Sequence, residues 1–143
     1  MISIKEVDHQ EFELCFELDS ETICLWTKKQ WESEFYKNGV KIVALFMGKK
    51  IIGIYAVQTI IDEAQINYFS IKKRFRRQGY GSYLMNYLIK ECKKLDIKKL
   101  LLEVSESNSI AEDFYSKFNF LTVGIRKNYY KDGNNAVLKV KIL

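Results

Sequence analysis

The stretch "RRQGYGSYL", Arg76–Leu84, places two glycines between an arginine pair and an amphipathic run. Glycine is a poor helix former, yet apolar side chains recur at helical spacing from Leu84 onward. A glycine lets the backbone approach a bulky ligand, and the first N–H groups of a helix lack partners within that helix. With the positive end of the helix dipole and two arginines, the stretch predicts a site for an anion such as pyrophosphate.

Two common glycine motifs that bind phosphates do not fit this stretch. No Gly-Lys-Ser/Thr follows, so the stretch is not a P-loop, and Leu84 occupies the third glycine position of a dinucleotide fingerprint. An ordinary loop with glycines at a helix start accounts for the spacing about as well as a ligand site does. The spacing alone therefore leaves both interpretations open.

Strand and helix patterns alternate on both sides of this stretch. Strand patterns cover Ile2–Val7, Val40–Met47, Ile51–Ile61, Ala64–Ile71, Lys98–Ser105, Phe120–Tyr130 and Ala136–Leu143. Helical patterns cover His9–Leu18, Thr27–Asn38, the segment after the glycines, and Ser109–Phe118. The apolar run in residues 98–105 is typical of a strand that is buried on both faces. The order predicts a single α/β domain, residues 1–143, with a mixed sheet of about seven strands and helices on both faces.

Composition limits the classes of function. Hydrophobic residues make up 48% and charged residues 29%, which indicates a soluble globular protein without a membrane span or secretory signal. Three cysteines without CxxC spacing predict free thiols in a reducing cytoplasm, and a single histidine argues against a metal site. The net charge of +5 favours anionic partners, although most of the lysines are expected to form a solvated surface.

Several motifs together resemble the GNAT superfamily of N-acetyltransferases. "RRQGYGS" is similar to the R/Q-x-x-G-x-G/A acyl-CoA loop, and Asn108, Ala111 and Tyr115 fit the N-x-x-A-x-x-x-Y motif. "DEA", "LLEV" and "RKNYY" are most similar to the bacterial RimI branch, which acetylates the N-terminal alanine of ribosomal proteins. Asn119 departs from the usual glycine, but asparagine tolerates the left-handed conformation, so the turn is expected to be retained.

The resemblance implies acetyl-CoA as the co-substrate and a set of cofactor-binding residues. The backbone of Phe69, Ser70 and Ile71 would pair with the pantetheine arm and donate to the thioester carbonyl. Asn108 would contact the cofactor, although an ordinary helix N-cap accounts for it equally. The pyrophosphate would be held by Arg76, Arg77, Gln78, Gly79, Tyr80, Gly81 and Ser82.

Glu103 and Tyr115 are the candidate catalytic residues. Glu103 interrupts an apolar strand pattern, and a carboxyl group in an apolar cleft tends to have a raised pKa, which suits a general base. It could instead be a strand-end glutamate that pairs with a lysine. By the resemblance, the Tyr115 phenol would protonate the leaving thiolate, and it could equally be a core aromatic residue.

The acceptor is expected to be the N-terminal α-amine of a basic ribosomal protein. Tyr130, placed on a hairpin strand, would contact the first peptide unit, and Glu63 would attract the peptide together with Asp62 and Glu106 in strand-end loops. A lysine side chain, a polyamine or another small amine would be an alternative acceptor. A non-catalytic acyl-CoA sensor and a ribosome- or RNA-binding module are the alternatives from other classes of protein. Neither direct nucleic-acid binding nor a membrane partner is expected.

Overall fold

The computed structural model describes all of residues 1–143 as one seven-stranded sheet with four α-helices. The strands are β1 (Ile2–Glu6), β2 (Val40–Met47), β3 (Lys50–Ile60), β4 (Glu63–Ile71), β5 (Lys99–Ser105), β6 (Leu121–Arg126) and β7 (Ala136–Ile142). The helices are α1 (Phe12–Ser20), α2 (Lys28–Glu34), α3 (Tyr80–Lys94) and α4 (Ser109–Lys117). Short 3-10 turns precede α1 and α3. No helix has the length and apolar character that crossing a membrane would require.

The sheet has the order β1-β2-β3-β4-β5-β7-β6, and only β4 and β5 are parallel neighbours. Their pairing covers four positions and stops at Ile66 opposite Leu102. Beyond that point β4 continues to Ile71 and β5 to Ser105 without pairing to each other. The two central strands therefore diverge and leave a cleft in the middle of the sheet.

Two hydrophobic cores lie on opposite faces of the sheet. One core contains Leu84, Leu88 and Tyr115 from α3 and α4, and we call this side the α3/α4 face. The other contains Leu18 and Trp31 from α1 and α2, and we call this side the α1/α2 face. This confirms the predicted mixed sheet with helices on both faces.

A β-bulge in β4 changes which face its side chains occupy. Ala56 of β3 pairs with Tyr68 and the next residue, Val57, pairs with Ile66, so Asn67 is an extra residue in β4. Ile66 therefore belongs to the core on the α3/α4 face, whereas Tyr68 belongs to the core on the α1/α2 face. Beyond the bulge, Phe69 packs against the α3/α4 core. One strand thus lines both cores.

The connection between α1 and α2 is held by a buried carboxylate. Asp19 is fully buried and accepts hydrogen bonds from the backbone N–H groups of Leu25 and Trp26, at 3.0 Å each. The Trp31 indole N–H and the Tyr68 hydroxyl also donate to it, at 2.9 and 3.1 Å. These bonds satisfy the buried charge and fix the α1–α2 connection against β4, next to the bulge.

Two sequence expectations were wrong in detail. β5 is deeply buried on the α3/α4 face only, because no helix covers it on the other side, where Leu101 and Glu103 are half-buried. The strand predicted to reach Tyr130 ends at Arg126, and Tyr130 lies in the loop of residues 127–135. That loop is tied to the distant Glu106 through Asn135, a contact that local strand propensity does not record.

Candidate active site

The cleft between β4 and β5 offers an unpaired backbone edge. Phe69, Ser70 and Ile71 pair with β3 on one side, and their other side faces the space left by the departing β5. An extended chain can add to such an edge by the same hydrogen bonds that another strand would make. Ser70 Oγ is buried without any hydrogen-bond partner, which is a further unsatisfied polar atom on this segment.

The N-terminus of α3 lies beyond this edge and carries no side-chain cap. Gly79 adopts a φ of +87°, and the first helical hydrogen bond runs from the Tyr83 N–H to the Gly79 carbonyl at 3.0 Å. The N–H groups of Tyr80, Gly81 and Ser82 thus have no partner within the helix. A Cβ at Gly79 would meet nothing within 4 Å, so the loop is open to a ligand there.

The loop before α3 is braced by its own side chains. Arg76 Nε donates to the Ile71 carbonyl at 2.9 Å, and the Gln78 amide donates to the Arg74 carbonyl at 3.1 Å. Arg77 has a φ of +61°, a strained value for a residue with a side chain. Arg76 and Gln78 therefore shape the loop, while the exposed guanidinium of Arg77 adds positive charge.

Helix packing favours the absence of a side chain at Gly81, which the sequence did not indicate. A Cβ at this position would lie 3.2 Å from the Phe114 ring of α4, closer than most such contacts. Gly81 is half-buried in the first turn of α3, not in the exposed loop before it. Its missing side chain allows α3 and α4 to approach each other.

The edge and the helix terminus together fit acetyl-CoA. An uncapped N-terminus of a fifteen-residue helix flanked by arginines suits a pyrophosphate. The free edge of β4 suits the extended pantetheine arm, and it leads from that terminus into the cleft. Acetyl-CoA would supply the activated acetyl group there as a thioester.

Glu103 lies at the point where the strands separate, on the α1/α2 face. It directly follows Leu102, the last residue of β5 that pairs with β4. Its side chain is 21% exposed, and its carboxylate pairs with the Arg126 guanidinium at 3.3 Å. The partner is an arginine of β6, whereas the sequence had suggested a lysine. Glu103 therefore faces a cation in the free protein, at a half-buried position.

Tyr115 lies on the other face of the sheet, within α4. It is buried, its ring contacts those of Phe69, Phe114 and Phe120, and burial raises the pKa of its phenol. Tyr115 is thus a core aromatic residue, and it remains protonated at neutral pH. Its position beside Phe69 places it along the free edge of β4.

Tyr130 interacts electrostatically with both candidate catalytic residues. Burial, then the Glu103 carboxylate, raise the pKa of Tyr130 to about 12, and Tyr130 in turn contributes to the raised pKa of Tyr115. Glu106 holds the loop that carries Tyr130, because its carboxylate accepts from the backbone and side-chain N–H groups of Asn135 at 3.2 Å each. Glu106 thereby orders this loop.

The remaining predicted residues lie at defined places. Asn108 is the N-cap of α4 and accepts from the Ala111 N–H at 3.1 Å. Glu63 is the first residue of β4, not a loop residue, and lies four residues before Asn67, about 13 Å along the strand. It is therefore remote from the point of divergence. All three cysteines are free, and burial raises the pKa of Cys92 to about 11, so its thiol is protonated.

Sequence and structure comparisons agree on the family. The chain matches the Acetyltransferase (GNAT) family model over residues 6–120. The ribosomal protein bS18-alanine N-acetyltransferase of Haemophilus influenzae is 34% identical, with 91% of this chain and 88% of that protein covered. The enzyme of the same name from Haemophilus ducreyi is 32% identical, with 94% and 96% covered.

Solved structures give the same result. The ribosomal-protein-S18-alanine N-acetyltransferase of Escherichia coli has a TM-score of 0.92 at 25% identity, with 99% of this chain and 94% of that chain covered. A GNAT acetyltransferase of Elizabethkingia anophelis with acetyl-CoA bound has a TM-score of 0.82 at 20% identity, with 99% and 98% covered. The chain belongs to the GNAT acetyltransferase family. It is an N-acetyltransferase, and the acetyl donor of this family is acetyl-CoA.

Sequence reasoning missed three polar residues beside the cleft. Arg126 pairs with Glu103, and Glu34 of α2 is buried against Asn67 at the bulge. A glutamate on the buried side of a short helix could have been noticed, because carboxylates rarely lie there unpaired. No local pattern indicates the pairs themselves, since their members lie far apart in sequence.

Proposed function

We propose that the protein transfers the acetyl group of acetyl-CoA to the α-amine of a protein N-terminus, an N-terminal alanine of a ribosomal protein. The observation that carries this proposal is the similarity to ribosomal protein bS18-alanine N-acetyltransferases over more than nine tenths of the chain. An acceptor of this kind would place the reaction in the cytoplasm, where ribosomes assemble.

The proposed reaction is a direct transfer with both substrates bound. The amine nitrogen forms a bond to the acetyl carbonyl carbon, and the bond from that carbon to sulfur breaks. Glu103 takes the first proton of the ammonium, directly or through a water, and the Tyr115 phenol gives a proton to the departing sulfur. The second proton of the nitrogen leaves to solvent as the amide forms, and the phenol regains its proton from solvent. The backbone N–H groups of residues 69–71 are the proposed donors to the carbonyl oxygen.

The placement of these two side chains on opposite faces supports the proposal. Glu103 faces the α1/α2 side and Tyr115 belongs to the core on the α3/α4 side. An amine that reaches Glu103 and a thioester sulfur that reaches Tyr115 therefore approach the same gap from two sides. Acid and base do not compete for one proton in such an arrangement.

Arg126 gives Glu103 a charged partner in the absence of the acceptor. The acceptor ammonium would replace this guanidinium, because the two cations need the same carboxylate. Arg126 is 55% exposed and lies at the end of an edge strand, so it is free to move outward. Tyr130, beside Glu103, is the proposed contact for the first peptide unit.

The test uses peptides and mass spectrometry. A peptide that begins with alanine and carries arginines soon after should gain one acetyl group at its α-amine in the presence of acetyl-CoA. Free lysine, spermidine and a peptide with a blocked N-terminus and an internal lysine should react far more slowly. If one of these amines reacted readily while the alanine peptide stayed unmodified, the proposed acceptor would be wrong.

A further inference from the structure

A buried carboxylate in α2 has no part in the proton transfers described above. Glu34 is 1% exposed, and its Oε1 accepts from Lys37 Nζ at 2.8 Å. Its Oε2 accepts from Asn67 Nδ2 at 3.0 Å. A buried carboxylate is costly unless it is paired, and one of the two oxygens of Glu34 is engaged by a single amide of β4. The amide it holds is the extra residue of the bulge.

The Glu34 contact determines the orientation of the Asn67 amide. A carboxylate only accepts hydrogen bonds, so the NH₂ group of Asn67 must face α2. The same NH₂ group lies 3.5 Å from Gln58 Oε1 of β3, at the limit of hydrogen-bond distance. Gln58 lies on β3, the strand that flanks β4 on the side away from β5. The carbonyl oxygen, Oδ1, is therefore turned toward β5 and the cleft.

Asn67 and Glu103 are neighbours across that cleft. Each is the first residue of its strand beyond the last pair, Ile66 and Leu102. Paired strands lie about 4.8 Å apart, and the gap widens from this position onward. Both side chains lie on the α1/α2 face. Asn67 contacts α2 there, and the neighbours of Glu103 in β5, Leu102 and Val104, belong to the core on the opposite, α3/α4 face. Two oxygen acceptors thus flank the opening.

We propose that Asn67 Oδ1 and the Glu103 carboxylate together bind the primary ammonium group of the acceptor, and that Glu34 is a positioning residue for Asn67. This inference rests on the proposed function for the identity of the amine. An ammonium has three N–H donors and needs several oxygen acceptors directed at it. The neutral amide suits the reaction, because it holds the amine without competing with Glu103 for the proton that must leave.

The experiment compares four variants with the wild type. Asn67→Leu removes the oxygen at similar volume, and Glu34→Met removes the group that orients the amide. Glu34→Gln keeps an oxygen that can still accept from Asn67. Asn86→Leu makes the same change as the first variant at an exposed position of α3. Acetyl-CoA binding by calorimetry shows that each variant is folded and holds its donor.

The readouts are the KM for an alanine-starting peptide and the binding of that peptide against its N-acetylated form. Asn67→Leu should raise KM roughly 10- to 100-fold, as expected for a hydrogen bond to a charged group, and abolish the preference for the free amine. Glu34→Met should also raise KM and weaken the preference for the free amine. Glu34→Gln should change both readouts less, and Asn86→Leu should change neither.

Two outcomes separate this inference from the proposed function. If folded Asn67→Leu bound acetyl-CoA and kept both the KM and the preference for the free amine, the ammonium site would be overturned. If wild-type protein acetylated spermidine or a lysine side chain instead, the proposed acceptor would fall. The same variants would then be measured with that amine, and an unchanged KM would overturn the ammonium site there as well.

Discussion

At the scale of single residues, the Glu103 carboxylate has a charged partner even when no substrate is bound. The carboxylate is half-buried and pairs with the Arg126 guanidinium 3.3 Å away. A half-buried carboxylate loses part of its hydration, which is unfavourable. The ion pair with an exposed arginine offsets this loss, and the arginine itself stays hydrated. In the proposed reaction the acceptor ammonium would replace the Arg126 guanidinium, so the Glu103 carboxylate would keep a cationic partner throughout.

Glu103→Gln should lower turnover by roughly 10²–10⁴ near neutral pH, the range for one general base, and leave acetyl-CoA binding unchanged. The loss should shrink at high pH, where the acceptor amine is already neutral. Steady-state rates across pH and calorimetry of acetyl-CoA binding measure the two effects. Glu91→Gln removes a carboxylate paired with Lys94 on α3 and is the matched control. Equal rates for both variants at neutral pH would contradict the assignment.

At the scale of elements, α4 ends in a turn that holds Tyr115 in place. Asn119 has a φ of +65°, its N–H donates to the Ser116 carbonyl, and the Phe120 N–H donates to the Tyr115 carbonyl at 3.2 Å. This is the Schellman arrangement, in which glycine is preferred at the left-handed position. The expectation that asparagine retains the turn is confirmed.

Asn119→Gly should therefore raise the free energy of unfolding by up to about 1 kcal/mol, because glycine adopts the left-handed conformation without strain. Asn119→Ala should lower it by a similar amount. Urea titrations followed by circular dichroism measure both changes. The slope of the free energy of unfolding against urea concentration, the m-value, should stay the same. A glycine variant less stable than the alanine variant would show that the Asn119 side chain matters in another way.

The order and type of every strand and α-helix could be predicted because each carries its own periodicity. The bulge could not be predicted, since "QINYFS" places apolar residues on either face depending on the phase of alternation. The contacts of Tyr68 with Asp19 and of Phe69 with Tyr115 decide that phase. Tyr129 and Tyr130 suit a strand by propensity, yet the contact of Glu106 with Asn135 holds them in a loop. Such long-range pairs leave no local pattern.

At the scale of the whole molecule, buried ionisable groups link stability to alkaline pH. Burial raises the pKa of Cys15 to about 12 and that of Cys92 to about 11, from an ordinary value of 9.0. Burial also raises the pKa of Tyr55, Tyr68 and Tyr115 above the ordinary value of 10.0. All five groups keep their protons in the folded chain at pH values where the unfolded chain loses them.

The free energy of unfolding should therefore be highest below pH 9 and fall as the pH rises, more steeply above pH 10. Each retained proton contributes a slope of about 1.4 kcal/mol per pH unit once the unfolded group has ionised. Urea midpoints between pH 7 and pH 10.5 measure the curve. Tyr55→Phe should reduce the slope above pH 10 only. A flat curve through pH 10.5 would contradict the assigned burial.

The extra residue at Asn67 also limits the lengths that β4 can have. Deleting Asn67 itself would restore plain alternation and leave Tyr68 and Phe69 on their present faces, because Asn67 is the residue of this stretch without a partner on β3. Deleting Phe69 instead would straighten the bulge with Asn67 retained, so that Tyr68 would turn toward α4 and away from Asp19. An added residue in the exposed turn 73–77 would exchange no side chain between the faces. In a library of single-codon insertions and deletions, folding should tolerate changes in that turn, and the loss of Asn67, far better than other changes in β4.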